Sequence, residues 1–402
     1  MTTPPLAGIR VVEFAGYIAG PGVGLILAEL GADVVKVEPL SGDAARHMGP
    51  YGDAIWRNNN RGKRSVALDL AHERGREIAV DLIAASDVVV QNLRPGAMER
   101  LGLGPDEVRE RFPRLIYLSV TGFSSRGPNA TRLGFDVAAQ AESGMMSITG
   151  EGGGDPLRIG YPVVDTAAGH FGAEAVMAAL IGRNRTGAGT TIEVPMYDVA
   201  VHLQNVPLST YLDLGREPVR TGNGQPYNAP SADVVNTRDG QIVISAYPDA
   251  HWRRLCGVIG RSELADDPRF CSNEARVANR PAMLEALSAA LSSFDSESAS
   301  ALLRANNIVA GIVRGYRNLE ASEEFRSGNF VVRAREADGT VVPAIRLPYR
   351  IESAPDPSEV LPALGGDAYE VLSSLGRSAD EISELQQAGV VGGPSVGEPV
   401  AQ

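Results

Sequence analysis

The stretch Gly8–Glu38, reading GIRVVEFAGYIAGPGVGLILAELGADVVKVE, decides the fold. GIRVVEF is a short β-branched strand, AGYIAGPGVG turns into a helix over Val23–Leu30, and Ala32–Glu38 is a second strand. Strand, helix and strand in so short a span make a βαβ unit. Glycines after the first strand and Glu38 at the end of the second suggest a dinucleotide-binding turn, and with it an NAD-dependent oxidoreductase. The spacing rejects it: counted from Gly20 the third glycine of G-x-G-x-x-G falls on Leu25, counted from Gly22 it falls on Leu27, and Pro21 lacks an N–H for a phosphate.

Outward from this unit the alternation continues. Asn60–Leu70 (NRGKRSVALDL) leads into a strand, Glu73–Ala84 is a helix, Asp87–Gln91 a strand, Leu115–Thr121 another, and a helix starts at Phe135. Such alternation predicts an α/β fold with a mostly parallel sheet covered on both faces. Asn92–Arg100 places an Asn, a Pro-Gly break and two Arg just beyond a strand's carboxyl end, where open α/β sheets take ligands. Gly150–Val199 then brings a glycine run, Gly152–Gly154, and a single carboxylate, Asp165, at the mouth of a small-residue helix over Thr166–Ile181. Asp165 reads either as that helix's N-cap or as a reactive carboxylate favoured by the helix dipole. A strand at Thr191–Val194 and a helix near Tyr197 follow.

The boundaries expected are a first large-domain part over 1–200, a linker with a glycine turn over 201–230, a smaller α+β domain over 231–325, a return to the large domain over 326–391, and a disordered tail over 392–402. The return carries a hairpin, Val331–Ile345, around Asp338-Gly339 and two helices, Ala368–Leu375 and Ala379–Ala388. A net charge of −12 without a Lys/Arg block argues against a nucleic-acid partner. The start MTTPPLAGIRVVEF carries no signal pattern and no apolar run spans a bilayer, so the expectation is a cytoplasmic protein without membrane contact. The two cysteines, Cys256 and Cys271, form no CxxC pair, and neither a disulfide framework nor a metal site is expected.

VVEFAGYIAGPGVGLILAELGADVVKVEP, NRGKRSVALDL, VQNLRPGAMERLGL, GFDVAAQAESG, DPLRIGYPVVDTAAG, NRTGAGTTIEVPMYD and DPRFCSNEARVANRP occur in that order. Together they resemble the class III CoA-transferases, a group that includes the α-methylacyl-CoA racemases, over nearly the whole chain to about Val391. The resemblance implies an interlocked homodimer whose chains each have a Rossmann-like, CoA-binding large domain built from both chain ends and a smaller domain. It implies coenzyme A as a co-substrate and no permanently bound cofactor. Family positions carry the nucleophile onto Asp165, CoA contacts onto Leu68, Asn92, Leu93 and Arg100, and the glycine loop that covers the acyl adduct onto Gly222, Asn223 and Gly224 before Gln225. Asn223 departs from an all-glycine loop.

The chemistry implied is covalent. An ionised Asp165 attacks a thioester carbonyl, gives a mixed anhydride and then an aspartyl-CoA thioester, and an acceptor acid reverses the steps. A charged nucleophile predicts shallow burial, and the N–H groups of Gly222–Gln225 and Tyr17–Ala19 are the candidate oxyanion donors. Racemases of the family pair the aspartate with the His of a GHD motif. This chain reads Gly134-Phe135-Asp136, and His170 on the Asp165 helix is an ordinary helix residue, so transfer is expected over racemisation. A non-catalytic acyl-CoA-binding protein is a further alternative. Ile18 stands where the formyl-CoA branch has a glutamine on a small polar acid, and Pro39 where an arginine meets the nucleotide. Tyr17, Ile18 and Phe135 are therefore expected to wall a site for larger or less polar acyl groups than oxalyl or formyl, unless Gln140, Arg158, Tyr161 or Tyr227 restores polarity.

Overall fold

The structure is a computed structural model that describes residues 3–394. Six parallel strands form one sheet: β1 Arg10–Phe14, β2 Asp33–Glu38, β3 Arg64–Leu68, β4 Val88–Gln91, β5 Ile116–Thr121 and β6 Thr191–Pro195. Their order is β3-β2-β1-β4-β5-β6, so the direction of winding reverses between β1 and β4. Val12 lies opposite Val35 on one side and Val89 on the other, and this β-branched stripe is buried because helices cover both faces.

The described residues fall into two compact units, residues 3–143, 160–203 and 329–394 in one and 144–159 with 204–328 in the other. The first holds the parallel sheet. Its core includes Val12, Val66, Leu68, Ile78 and Tyr117 with Leu372 and Leu385 from the far end of the chain. In the second, β7 Asp233–Asn236, β8 Gln241–Ser245 and β9 Val309–Ile312 form an antiparallel sheet over a core containing Trp252, Phe270, Met283 and Leu287. The expected hairpin is β10 Val331–Arg335 with β11 Val341–Ile345.

Two expectations need correction. Gly392, placed at the head of a disordered tail, belongs to β12 Val391–Gly392 and pairs antiparallel with Ala67 of β3; residues 395–402 lie outside the described residues. Gly49–Asn60, which carried no helical expectation, is a helix. Its glycines and closing asparagines are poor helix formers. Tertiary contacts override them: Trp56 packs with Val332, Ala334 and Leu361, and the Arg46 guanidinium lies 3.5 Å from its ring centroid. Among the described residues, no helix is long and apolar enough to cross a membrane.

Candidate active site

The helix expected over Thr166–Ile181 runs over Val163–Thr186, and its N-cap is Pro162, with no side-chain cap of its own. Asp165 is therefore not the N-cap. It sits inside the first turn, where its own N–H needs an outside acceptor. Asp136 supplies it: Oδ2 accepts the N–H groups of Val164 at 2.7 Å and Asp165 at 3.2 Å, while Oδ1 accepts from Gln140 Nε2 at 2.5 Å. The third residue of the Gly134-Phe135-Asp136 motif thus caps the helix from a distant part of the chain. The motif was legible as a place lacking a His, and its Asp as a cap was not.

Small residues on the Asp165 helix set the next contact. A Cβ on Gly169 would lie 3.3 Å from Ala19 O, and one on Gly172 would lie 2.7 Å from Val23 Cγ2, so the helix rests almost directly on the Ala19–Glu29 helix. Asp165 and Ile18 consequently line one cavity of about 520 Å³. Leu25, Ile26, Ile55 and Leu347 make its wall mainly apolar, and Asn59, His170 and Arg346 add polar groups. Of the three residues expected to wall an acyl site, only Ile18 lines this cavity. Tyr17 takes a left-handed backbone, φ 65°, and its ring meets the ring of Phe135 edge-on at 6.2 Å. Both stay open to solvent, at 41% and 65% exposure.

Burial pushes the Asp165 carboxyl up to about 7, and the neighbouring Asp136 carboxylate adds to the rise. Asp165 is half-buried, and its carboxyl is held above the ordinary carboxylate range, where a freely ionised nucleophile was expected. The helix dipole does favour an anion, but Asp136 already occupies that position and leaves Asp165 facing a like charge.

The positions carried over as CoA contacts lie along the carboxyl edge of the sheet or follow it. Leu68 ends β3 with its side chain in the core. Asn92 follows β4 and exchanges two bonds with Gly16 after β1, Nδ2 to Gly16 O and Gly16 N–H to Oδ1, both 2.9 Å. It bridges the loops on either side of the winding reversal. The Leu93 N–H donates to Gln91 Oε1 at 2.8 Å, and Arg100 is exposed at the end of the short Ala97–Arg100 helix.

In the second unit, Gly222 is left-handed at φ 60°, and a Cβ on Gly224 would fall 1.4 Å from Arg280 Nη1. These glycines are demanded by packing. The Gly222 N–H donates to Gly150 O at 3.0 Å and the Gly224 N–H to Thr221 O at 3.1 Å, so neither is a free oxyanion donor in this conformation. Asn223 has no positive φ and lines a cavity of about 690 Å³ with Glu151, Asp233 and Glu285. A side chain at the centre of this turn is therefore unstrained.

Residues 6–368 match the family described as CoA-transferase family III. The chain belongs to that family. The family member is 35% identical over 384 residues to the succinate–glutarate CoA-transferase of Agrobacterium fabrum, covering 92% of this chain and 96% of that one. It is 37% identical over 364 residues to a probable fatty acyl-CoA transferase of Mycobacterium tuberculosis, covering 87% and 92%. A crystal structure of a CaiB/BaiF family protein from Brucella suis superposes with a TM-score of 0.83 at 34% identity, over 93% of this chain and all (100%) of that one. The chain is thus a class III CoA-transferase with the fold of its relatives.

Proposed function

We propose that the enzyme moves coenzyme A from an acyl-CoA to a free carboxylic acid with Asp165 as the covalent carrier. The observation that carries this is the single carboxylate at the wall of a largely apolar cavity, held by Asp136 at a helix start. A carboxylate oxygen of Asp165 attacks the thioester carbon, the C–S bond breaks, and CoA thiolate leaves a mixed anhydride. The thiolate then attacks the aspartyl carbonyl, expelling the donor acid and forming an aspartyl-CoA thioester. An acceptor carboxylate attacks that carbonyl to give a second anhydride, and the thiolate takes the new acyl group and frees Asp165. Thioester energy is kept because the CoA thiolate, expelled at each anhydride-forming step, returns as the next nucleophile, while the donor acid leaves as product. Only ionised Asp165 starts the cycle, and a carboxyl with pKa about 7 is half ionised at that pH.

Leu68, Asn92, Leu93 and Arg100 are the proposed CoA contacts, with Tyr17 and Ile18 beside the thioester, and a homodimer is the proposed assembly. Phe135 cannot exchange a proton, which favours transfer over racemisation. Two relatives bear names with different acids, one short and dibasic and one fatty, so the acid must be sought by the walls of this chain's own cavity. Ile18, Leu25 and Ile26 favour acyl groups with apolar carbon to bury.

The test is trapping. Incubation with acyl-CoA and then hydroxylamine or borohydride, followed by peptide mass mapping, should mark Asp165. An Asp165→Ala variant that still exchanges labelled acid into acyl-CoA overturns the proposal.

A further inference from the structure

A buried charge cluster under the β1 carboxyl end takes no part in the chemistry above. Lys36 Nζ lies between Glu13 Oε1 at 3.1 Å and Asp43 Oδ2 at 3.0 Å, and Lys63 Nζ reaches the other Glu13 oxygen at 2.7 Å. All four side chains are buried, and their charges balance. An ion-pair cluster of this kind is poor evidence of a stability device, since apolar residues of similar volume often serve the core as well. Its remaining hydrogen bonds suggest another purpose, because they end on one short loop and the helix turn after it.

The loop runs from Ala15 to Ile18, and the first turn of the Ala19–Glu29 helix follows it. Lys36 Nζ donates to Ala15 O at 2.5 Å, Lys63 Nζ donates to Pro21 O at 2.8 Å, and Asp43 Oδ1 accepts the Tyr17 N–H at 3.4 Å. Asn92 holds Gly16 from the other side. The cluster also presses on the helix that follows, since a Cβ on Gly24 would lie 1.9 Å from Glu13 Oε2. Within this clamp sits Tyr17, whose φ of 65° is disfavoured for any residue with a Cβ and worst for a bulky one. Such a conformation persists only where the surroundings over-determine it, and it is found preferentially at functional sites. The next residue is Ile18, on the cavity shared with Asp165.

We propose that Glu13, Lys36 and Asp43 are positioning residues that hold Tyr17 left-handed, and thereby set Ile18 and the start of the Ala19–Glu29 helix against the reacting carboxylate. The functional part rests on the reading of Asp165 as the carrier. The geometric part does not.

The test is a double-mutant cycle in the full-length protein. Tyr17→Ala keeps the backbone penalty and removes the ring, whereas Tyr17→Gly removes both. Amide hydrogen exchange of peptides covering residues 15–23 reads the loop directly. Asp43→Asn should speed that exchange at least tenfold in the wild-type and Tyr17→Ala backgrounds, and less than threefold in the Tyr17→Gly background. In parallel, kcat of CoA exchange per trapped Asp165 should fall at least tenfold with KM for acyl-CoA within twofold, and the loss should shrink in the Tyr17→Gly background. Equal effects of Asp43→Asn in all three backgrounds overturn the clamp. A clamp confirmed by exchange with unchanged kcat per site overturns its link to Asp165, and no trapping in wild type overturns the carrier reading alone. Should Asp43→Asn fail to fold, the melting temperatures of Tyr17→Gly and Tyr17→Ala decide: glycine should be the more stable, and alanine being equal or better removes the strain and the proposal with it.

Discussion

Two groups of acids lie in the same unit and behave oppositely. Burial opposes the charge on Glu38 and Asp43, yet Arg46 holds Glu38 below the ordinary carboxylate range and Lys36 does so for Asp43. Burial also opposes Lys36, but Glu13 and Asp43 more than offset it, while burial, with the neighbouring Lys36 charge adding to it, pushes Lys63 down to about 8. Asp165 has no cation among the causes of its shift and moves up to about 7. The difference teaches that depth alone does not set ionisation here. A paired acid is structural and fixed, and an acid facing only another acid is poised to change charge near neutrality.

The largest effect expected in a test of this contrast is on turnover. Asp165→Ala should lower CoA exchange by roughly a thousandfold or more, because the proposed covalent route runs through this carboxylate. Steady-state exchange of labelled acid measures it, and residual activity within tenfold of wild type would place the carrier elsewhere.

On the paired side, Lys36→Met leaves Glu13 and Asp43 short of a cation and should destabilise the protein by about 3–5 kcal/mol, read from urea midpoints. An unchanged midpoint would mean the acids are not held by charge compensation.

Asp165→Asn should act in the reverse direction. The folded pKa is raised from 3.8 to about 7, so the contribution of Asp165 to stability is fully present below about pH 4 and is lost as pH rises through 7. The amide should therefore be more stable than wild type by roughly 2–4 kcal/mol at pH 8, allowing for screening, and equal to it below about pH 4. Melting curves across that window check both the sign and its disappearance.

A smaller change sharpens the acid pair itself. Asp136→Asn keeps an oxygen for the Val164 and Asp165 N–H groups but removes the like charge, so the alkaline rise of kcat/KM near pH 7 should move to lower pH by roughly half to one unit. A profile that stays in place would leave burial as the sole cause of the shift.

The mildest expected effect is on acyl choice. Each methylene buried against Ile18 is worth about 0.8 kcal/mol, so wild type should gain several-fold in kcat/KM per carbon, and Ile18→Gln should narrow the gap to oxalyl-CoA and formyl-CoA. A wild-type preference for oxalyl-CoA or formyl-CoA, unchanged in the variant, would remove Ile18 from the acyl site.

Much of this was legible in one dimension because the signals are local. β-branched runs such as VVVQ and the small-residue run after Asp165 carry their period with them, and the α/β alternation followed directly. The Gly49–Asn60 helix escaped because its residues favour other states and contacts with distant chain, Trp56 packed on Val332 and Leu361 and Asn58 bonded to Ile345, hold it. Arg346 escaped as a cavity residue for the same reason: it follows β11, remote in sequence from every motif that marked the site.

By itself the sequence determined that the chain alternates strands and helices, that it belongs with the CoA-transferases, and which carboxylate to suspect. These depend on residue type and spacing along the chain. Tertiary structure alone decided the state of that carboxylate. Asp136 lies 29 residues before Asp165, and Glu13 lies 23 residues before Lys36 and 50 before Lys63. Charges interact through space at a few ångströms, so which acids meet a cation and which meet another acid is settled only when the strands and helices that carry them are packed.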